Sequence, residues 1–393
     1  NVFMLSVLLK ISRFKPHFGI LRILWMPLIH STSNKKRKTL LFPVVSDPIV
    51  AEAIMKNCLE KDDICKFMRA LTGNGSIFAP VAIWRPRRKI LAPTFSLKNL
   101  NQFVTIFANQ SSIMARQLKR EVKRGTFSIW KYFTTYTMDS VCESTLGVKI
   151  KAQTQPDLPF LHAFEEVTRL DAERMCQPWL HNDTVYHSLP AYKKHSRSKK
   201  LICDFVNKKL AIELETKENE PASQPKDGLR TFLELLLESS KHGEGYGDLE
   251  LQEETLVIVL AGTDTSAVGA SFVALMLSLY PHIQERCYQE LQDVFGGSDR
   301  AVTYEDLPRL KYLDAVIRET LRLYPPVPII NRKVDKDLVL PSGVTLVEGC
   351  GIILSIFAIH RNPEYWGEDA EQFRPERFLN ISLKHPASLG TAV

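Results

Sequence analysis

The long apolar stretch from Asp248 to Tyr280 constrains the fold of this chain more than any other feature of its sequence. Acidic side chains at its start suit the first turns of a helix, and the apolar run then continues up to Pro281. Its length and apolarity permit a transmembrane helix, with Asp264 as a charge inside the span. The alternative is a long helix through the core of a large helical protein.

The residues after this stretch favour the core helix. His282–Phe295 is amphipathic with a helical period, and Thr303 caps a further helical stretch that runs to Pro325, with Asp306 at the capping-box position. Short β runs follow at Leu338–Leu340, Val344–Val347 and Gly351–Ile356. The sequence therefore predicts one buried helix inside a soluble, helix-rich body.

Turn signals and periodicity predict the remaining segments. Asp47 followed by Pro48 is an N-cap with a proline at the first helical position, which predicts a helix to about Asn57. Patterns from Lys98 to Leu210 are mostly helical. The sequence also predicts two strands, Gly19–His30 and Lys38–Val45. It predicts three loops: Gly147–Pro159, Pro178–Pro190 and Glu215–Gly228. We expect a mainly α protein with a smaller β part, forming one domain over residues 1–393.

Composition places the chain among globular proteins. Of its 393 residues, 45% are hydrophobic and 24% charged, so it can bury a core large enough to enclose a cofactor. The net charge of +7 suits an acidic partner protein or an anionic membrane surface, and equally a solvated basic surface. The seven cysteines occur singly, and their odd number and spacing argue against a disulfide framework and a zinc site.

The chain begins with Asn1 rather than Met, so we expect its N terminus to be incomplete. Asn1–Leu9 is apolar but too short for a membrane span, which takes about 20 residues. This stretch is either the end of a lost anchor or an amphipathic first helix, and the second interpretation is favoured.

Ala261–Ser266, with the sequence Ala-Gly-Thr-Asp-Thr-Ser, interrupts the apolar helix. These residues are unusual inside a helix, because Gly costs about 1 kcal/mol against Ala and hydroxyl groups compete for backbone hydrogen bonds. Missing bulk beside hydroxyl groups would let a flat ligand approach the helix. A helix kink with a satisfied Asp264 explains the same residues equally well.

Glu319 and Arg322 lie three residues apart, on one face of a predicted helix with apolar neighbours. Such pairs are common on exposed helices, but a buried pair needs further partners. Arg377, in the downstream segment Phe373–Phe378, is a candidate third member.

A basic cluster with one indole extends from Trp84 to Lys89. At a helix start it would present Trp84 and Arg88, four residues apart, on one face. The indole N–H and the guanidinium can both donate to a carboxylate. A phosphate or nucleic-acid site is the competing interpretation, and it has only this short cluster in its support.

Four segments resemble the cytochrome P-450 family of haem-thiolate monooxygenases by their residues and their order along the chain: Trp84–Lys89, Ala261–Ser266, Glu319–Arg322 and Phe373–Phe378. The resemblance extends over about Gly19 to Leu379. The resemblance implies that Trp84 and Arg88 contact the haem propionates, as Arg332 would after the proline-rich turn. It further implies that Ala261 and Gly262 line the oxygen-binding groove and that Asp264 and Thr265 are catalytic. By the same resemblance, the structural triad would consist of Glu319, Arg322 and Arg377.

Arg174, followed by Pro178-Trp179-Leu180, resembles the branch that contains fatty-acid omega-hydroxylases and many insect members. Members of that branch often carry a glutamate just before the groove glycine, and in some the haem is attached covalently through it. Ala261 occupies that position here, which argues against a covalent link and against a fatty-acid substrate.

The axial cysteine of the family lies in a loop beyond the Pro-Glu-Arg-Phe segment. Cys350 is the last cysteine of this chain and precedes that segment. We therefore expect no metal ligand among these residues, an axial cysteine beyond Val393, and no thiolate-ligated haem site in the chain as it stands.

The resemblance implies a monooxygenase with non-covalent haem b, an apolar substrate, and electrons from NADPH through a reductase. It also implies a location at the cytosolic face of the endoplasmic reticulum membrane. Two alternatives remain open. One is a haem-thiolate isomerase or dehydratase, against which Asp264 and Thr265 argue, because it needs no proton relay to dioxygen. The other is a non-catalytic helical binding or scaffold protein, or an inactive fragment, which the missing cysteine favours.

Overall fold

The computed structural model describes residues 43–155, 157–218, 231–240 and 246–379. Helices dominate these ranges. The longer ones are α1 Pro48–Asn57, α3 Val81–Leu91, α4 Leu97–Lys119, α5 Trp130–Leu146, α6 Pro159–Cys176, α8 Pro190–Glu218, α9 Phe232–Ser240, α10 Asp248–Leu279, α11 Pro281–Phe295 and α12 Lys311–Leu323. The shorter ones are α2 Arg69–Thr72, α7 Asp183–Ser188, α13 Ile356–Ile359 and α14 Pro363–Trp366. The predicted mainly helical fold is confirmed.

The smaller β part consists of five short strands in the described ranges. They are β1 Val44–Val45, β2 Ile329–Lys333, β3 Leu338–Val339, β4 Thr345–Leu346 and β5 Gly351–Ser355. Strand β5 is central in a sheet of order β1-β5-β2, parallel to β1 and antiparallel to β2, with Ile330 opposite Leu354. Strands β3 and β4 form a separate antiparallel pair. The predicted strand Gly19–His30, and Lys38–Val45 except for its end, lie outside the described residues.

Helix α10 lies in the main core, where it packs most extensively against α5. Among the described residues it is the one helix long and apolar enough to cross a membrane, but its side chains Leu251, Leu256 and Val259 belong to the core cluster. A Cβ at Gly262 would come within 3.0 Å of a Val141 methyl group on α5. The glycine therefore permits close approach of these two helices, and the prediction of a core helix is confirmed.

Three other local predictions are confirmed. The Asp47 carboxylate accepts from the Val50 N–H (2.8 Å) and starts α1 at Pro48. The predicted loop from Gly147 ends at α6, which begins with Pro159. Thr303 and Asp306 form the predicted capping box.

Three segments differ from prediction. Within the predicted loop Pro178–Pro190 the side-chain amide oxygen of Asn182 accepts from the Val185 N–H (3.2 Å) and caps the start of α7, so that prediction is wrong for these residues. Helix α8 continues to Glu218, and residues 219–228 of the third predicted loop lie outside the described ranges. The single stretch from Thr303 to Pro325 is broken at Leu310, whose ψ of 60° is not helical.

Candidate functional site

Glu319 and Arg322 form a bidentate ion pair within α12. Arg322 donates from Nε to one carboxylate oxygen (2.7 Å) and from Nη2 to the other (2.8 Å). Their side chains are 0% and 2% exposed, so water cannot satisfy either charge. The backbone N–H of Arg374 donates to the same carboxylate (2.9 Å). The two residues that are three apart in the sequence therefore form a buried pair, and the Arg374 N–H is a third partner.

Arg377 is the second cation beside Glu319. Its Nε lies 3.3 Å from a Glu319 carboxylate oxygen, close enough for an ion pair although not aligned for a hydrogen bond. Its two terminal nitrogens contact the Trp366 carbonyl (2.9 Å) and the Asp369 carboxylate (2.8 Å). The structure thus brings Glu319, Arg322 and Arg377 into one network.

The remaining donors of Arg322 hold the chain that follows α13. Nη1 donates to the carbonyls of His360 and Ala370, both at 2.7 Å, and Nη2 donates to that of Gln372 (3.2 Å). The His360 ring contacts the Arg322 carbonyl in return (3.2 Å). Burial lowers the pKa of His360 to about 4, so this ring is neutral at pH 7. The network fixes residues 360–377 against α12.

The Ala261–Ser266 motif places its side chains on two faces of α10. Gly262 faces Val141, and Thr263 is fully buried with its hydroxyl 3.9 Å from the Met138 sulfur. Asp264 and Thr265 are half-buried. The Thr265 hydroxyl donates to the Ala261 carbonyl one turn earlier (2.6 Å). Its oxygen keeps lone pairs that can accept a further hydrogen bond.

Trp84 and Arg332 each carry a buried N–H without a hydrogen-bond partner among the described residues: the indole Nε1 and the guanidinium Nε. Trp84 lies on α3, and Arg332 lies on β2, where its Nη1 donates to the Asn331 carbonyl (2.9 Å). An unsatisfied buried donor costs about 1–3 kcal/mol. Two such donors on separate elements indicate an acceptor that the described residues do not supply.

Lys61 adds positive charge to this region and was missed by sequence reasoning. Burial, with contributions from the nearby Arg332 and Arg88, lowers the pKa of Lys61 to about 8. Within the described ranges no carboxylate pairs with any of these three cations. Buried donors beside uncompensated cations fit the propionate carboxylates of haem b. The Arg88 side chain itself is exposed.

Arg87, rather than its neighbour Arg88, is the buried arginine of α3. Its guanidinium contacts three carboxylates at the start of α10: Glu250 at 2.9 Å, and Glu253 and Glu254 at 3.3 Å each. Sequence reasoning treated these acids only as a helix start. Their i, i+3, i+4 spacing, which puts all three on one face, was the signal of a shared cation.

Arg174 and Leu180, two of the residues that suggested the omega-hydroxylase branch, contact each other. Arg174 is buried at the end of α6, donates from Nε to the Leu180 carbonyl (3.1 Å) and pairs with the Asp183 carboxylate. Its guanidinium lies 4.6 Å from the centre of the Phe67 ring. Trp179 is 59% exposed. This arginine therefore fixes the connection from α6 to α7.

All seven cysteines lie in the described ranges, and none of them forms a disulfide there. Burial raises the pKa of every one, to about 12 for Cys142 and about 11 for Cys287. None is therefore preset as a thiolate at neutral pH. Cys350 packs beside the core of the β1-β5-β2 sheet. Among the described residues no group of three metal-ligating side chains could hold a metal ion.

Comparisons with known proteins agree with these observations. A family model described as Cytochrome P450 matches residues 44–390. Cytochrome P450 4c21 of Blattella germanica is 33% identical over 356 residues, which are 88% of this chain and 71% of that protein. Cytochrome P450 4V2 of Homo sapiens is 32% identical over 339 residues, 84% of this chain and 64% of the human protein. Cytochrome P450 4d2 of Drosophila melanogaster is 32% identical over 342 residues, with shares of 84% and 68%.

The chain thus spans between 64% and 71% of the length of these relatives. The family model, by contrast, matches nearly all of the chain that the structure describes. The family implies haem b, a redox partner and a hydrophobic substrate, and the unpaired donors of Trp84 and Arg332 fit such a cofactor. The resemblance seen in the motifs is therefore confirmed: the chain belongs to the cytochrome P450 family.

Proposed function

We propose that this chain provides the haem site of a monooxygenase that acts on an apolar organic substrate. The observation that carries the proposal is a pair of buried N–H groups, those of Trp84 and Arg332, beside the cations Lys61 and Arg88; in the part of the chain that the structure describes, neither N–H has an acceptor and neither cation has a carboxylate partner. In this role the N–H groups of Trp84 and Arg332 donate to the haem propionates, and the cations balance their charge. Non-covalent retention agrees with Ala261 standing where some relatives attach the group.

Haem b with a cysteine thiolate ligand supplies the chemistry that inserts one oxygen atom of dioxygen into a C–H bond or an alkene. The chain contributes proton delivery and a binding site for an ordered water molecule. The Asp264 carboxyl group delivers protons, and the Thr265 oxygen holds a water molecule by accepting its hydrogen bond. The small side chain of Ala261, one turn before Thr265, keeps bulk away from this relay, whereas Gly262 faces Val141 on α5.

The triad has a structural role in this proposal. Glu319, Arg322 and Arg377 hold residues 360–377, the segment that in the family precedes the cysteine loop. The guanidinium groups of this network donate to backbone carbonyls and carboxylates of the protein itself. The network therefore positions a segment of the chain rather than a substrate. In the family that loop would supply the cysteine thiolate that binds the haem.

The proposed partners follow from the family. We assign electron supply to an NADPH-dependent reductase and location to the cytosolic face of the endoplasmic reticulum membrane. The net charge of +7 agrees with an acidic partner or an anionic membrane surface. The segments expected to face substrate, Gly73–Ile83 and Phe160–His195, carry apolar residues without a specific chemical preference.

The test compares this chain with a form extended beyond Val393 through a glycine-flanked cysteine loop. Ferrous carbon-monoxide spectra of both forms should show the thiolate-type band for the extended form alone. A thiolate-type band from the short chain would refute the ligand assignment. If neither form bound haem, a non-catalytic helical protein would be the better account. NADPH-dependent oxygen uptake by the extended form, measured with an NADPH-dependent reductase added, separates a monooxygenase from an isomerase of the same fold.

A further inference from the structure

The attachment of α3 to the rest of the protein is unusually polar. Of its eleven residues only Arg87 and Leu91 are buried. At its N terminus, where no residue caps the helix with its own side chain, the Glu60 carboxylate accepts from the Val81 N–H (3.2 Å). The Tyr246 hydroxyl donates to the Arg87 carbonyl (3.0 Å). Leu91 and the half-buried Ile90 pack against the main core at the C-terminal end of the helix. Over the rest of α3 little apolar surface is buried, so polar contacts there determine how the helix is rotated about its axis.

Arg87 makes the central contact of this attachment. Its guanidinium meets Glu250, Glu253 and Glu254 of α10, and its Nη1 also donates to the Asn74 carbonyl (2.7 Å). Its exposure is 9%, and that of Glu254 is 0%. One cation therefore joins helix α3, the start of α10 and the loop before α3.

The same carboxylates fasten the loop Gly73–Ser76. Glu253 accepts from the Asn74 N–H (2.9 Å), and Glu254 accepts from the Ser76 N–H (3.1 Å) and hydroxyl (2.7 Å). A Cβ at Gly73 would lie 2.1 Å from a Glu253 oxygen, so the loop sits directly on the acids. The carboxylates have ordered partners besides Arg87, which makes the position of its guanidinium well defined.

We propose that Arg87 is a positioning residue that sets the rotation of α3 and thereby directs Trp84 and Arg88 toward the haem propionates. This inference rests on the proposed haem site. In an α-helix successive residues are turned by about 100°. Trp84 is three residues before Arg87 and Arg88 is one after it, so any rotation that displaces Arg87 displaces both donors.

The test must separate positioning from stability, because removal of Arg87 strands buried carboxylates and weakens the fold. Arg87→Met removes the charge and the donors. The triple variant Arg87→Met/Glu253→Gln/Glu254→Gln also removes the two most buried acids while keeping oxygen acceptors for the loop. Arg87→Lys keeps the charge with a single attachment point. Arg85→Met, exposed on the same helix, is the matched control.

Two readouts are compared in the extended form: the melting temperature of the apoprotein, and the rate of haem transfer to apomyoglobin. Arg87→Met should melt lower and lose haem at least about tenfold faster, a change worth about 1.4 kcal/mol. The triple variant should recover the melting temperature but keep the fast haem loss. Arg87→Lys should be intermediate in haem loss, and Arg85→Met should match the unsubstituted protein in both.

A second measurement asks whether Arg87 acts through Trp84. Trp84→Phe should accelerate haem loss in the unsubstituted background and have little further effect in the triple variant, because the donor is already misdirected there. Recovery of both readouts in the triple variant, or additive effects of Trp84→Phe, would overturn the inference while leaving the haem site in place. If the unsubstituted extended form bound no haem, the proposed function and this inference would fall together.

Discussion

Arg322 and Glu319 face each other as a planar, doubly hydrogen-bonded pair inside α12, with N–O distances of 2.7 and 2.8 Å. Both charges are removed from water, and the other donors of Arg322 all end on backbone carbonyls of residues 360–372. A buried ion pair is tolerated only when its remaining hydrogen-bonding groups are also satisfied. This relationship makes the pair a structural element of the fold rather than a contact for substrate.

Replacing Glu319 by alanine should lower the free energy of unfolding by roughly 3–5 kcal/mol, because Arg322 is left as an uncompensated buried charge and Arg377 keeps only Asp369 as its carboxylate partner. Denaturant unfolding and haem uptake measure the effect, and we expect poorly folded, haem-free protein. Asp314→Ala is the control on the same helix, since its ion pair with Arg318 is exposed and contributes under about 1 kcal/mol. A soluble Glu319→Ala protein that binds haem normally would contradict the structural role.

Thr265→Ala should leave haem binding intact but divert reducing equivalents from product to peroxide in the extended form. The fold should tolerate the change, because the hydroxyl is bonded only to the Ala261 carbonyl of its own helix among the contacts described. The measurement is the ratio of peroxide formed to NADPH oxidised, with the exposed neighbour Ser266→Ala as control. Unchanged coupling in Thr265→Ala would rule out the proposed proton relay.

Trp84→Phe should accelerate haem loss about tenfold to a hundredfold, because a hydrogen bond to a charged acceptor contributes about 1.5–3 kcal/mol. Arg332→Met should act in the same direction, since it removes the second buried donor. Arg88→Ala should have a smaller but measurable effect, and Arg85→Ala, exposed on the same helix, should have none. Equal haem loss from Arg88→Ala and Arg85→Ala would indicate a diffuse basic patch. Arg87→Ala is not a suitable control for Arg88→Ala, because Arg87 is buried among carboxylates.

His360 should make the protein less stable as the solution is acidified. Burial lowers the pKa of His360 from 6.5 to about 4 in the folded protein. Between these values the unfolded chain binds the proton more readily, so the free energy of unfolding falls as pH drops from 6.5 to 4. His360→Asn should flatten this part of the stability profile, whereas His282→Asn, at an exposed position, should not. An unchanged profile in His360→Asn would assign the acid sensitivity to other groups.

The sequence alone determined the elements whose signals are local. The acidic start, the apolar run and Pro281 predicted α10, and Asp47 with Pro48 predicted α1. The order of the four motifs predicted the family and the fold, and the three-residue spacing of Glu319 and Arg322 predicted their pairing. Caps, periodicity and i, i+3 contacts act within a few residues, so a linear sequence displays them directly.

Only the tertiary structure decided that Arg87 rather than Arg88 is buried, and that Gly262 in α10 allows close packing against α5. Helical spacing from Trp84 pointed to Arg88, yet Arg87 is the one that faces Glu253, which is 166 residues away. Gly262 was interpreted as room for a ligand, and its missing Cβ faces Val141 on α5. Lys61 and Arg332 are still further apart in the sequence, and only folding brings their charges together. Contacts between distant segments depend on how the helices pack, which no local pattern encodes.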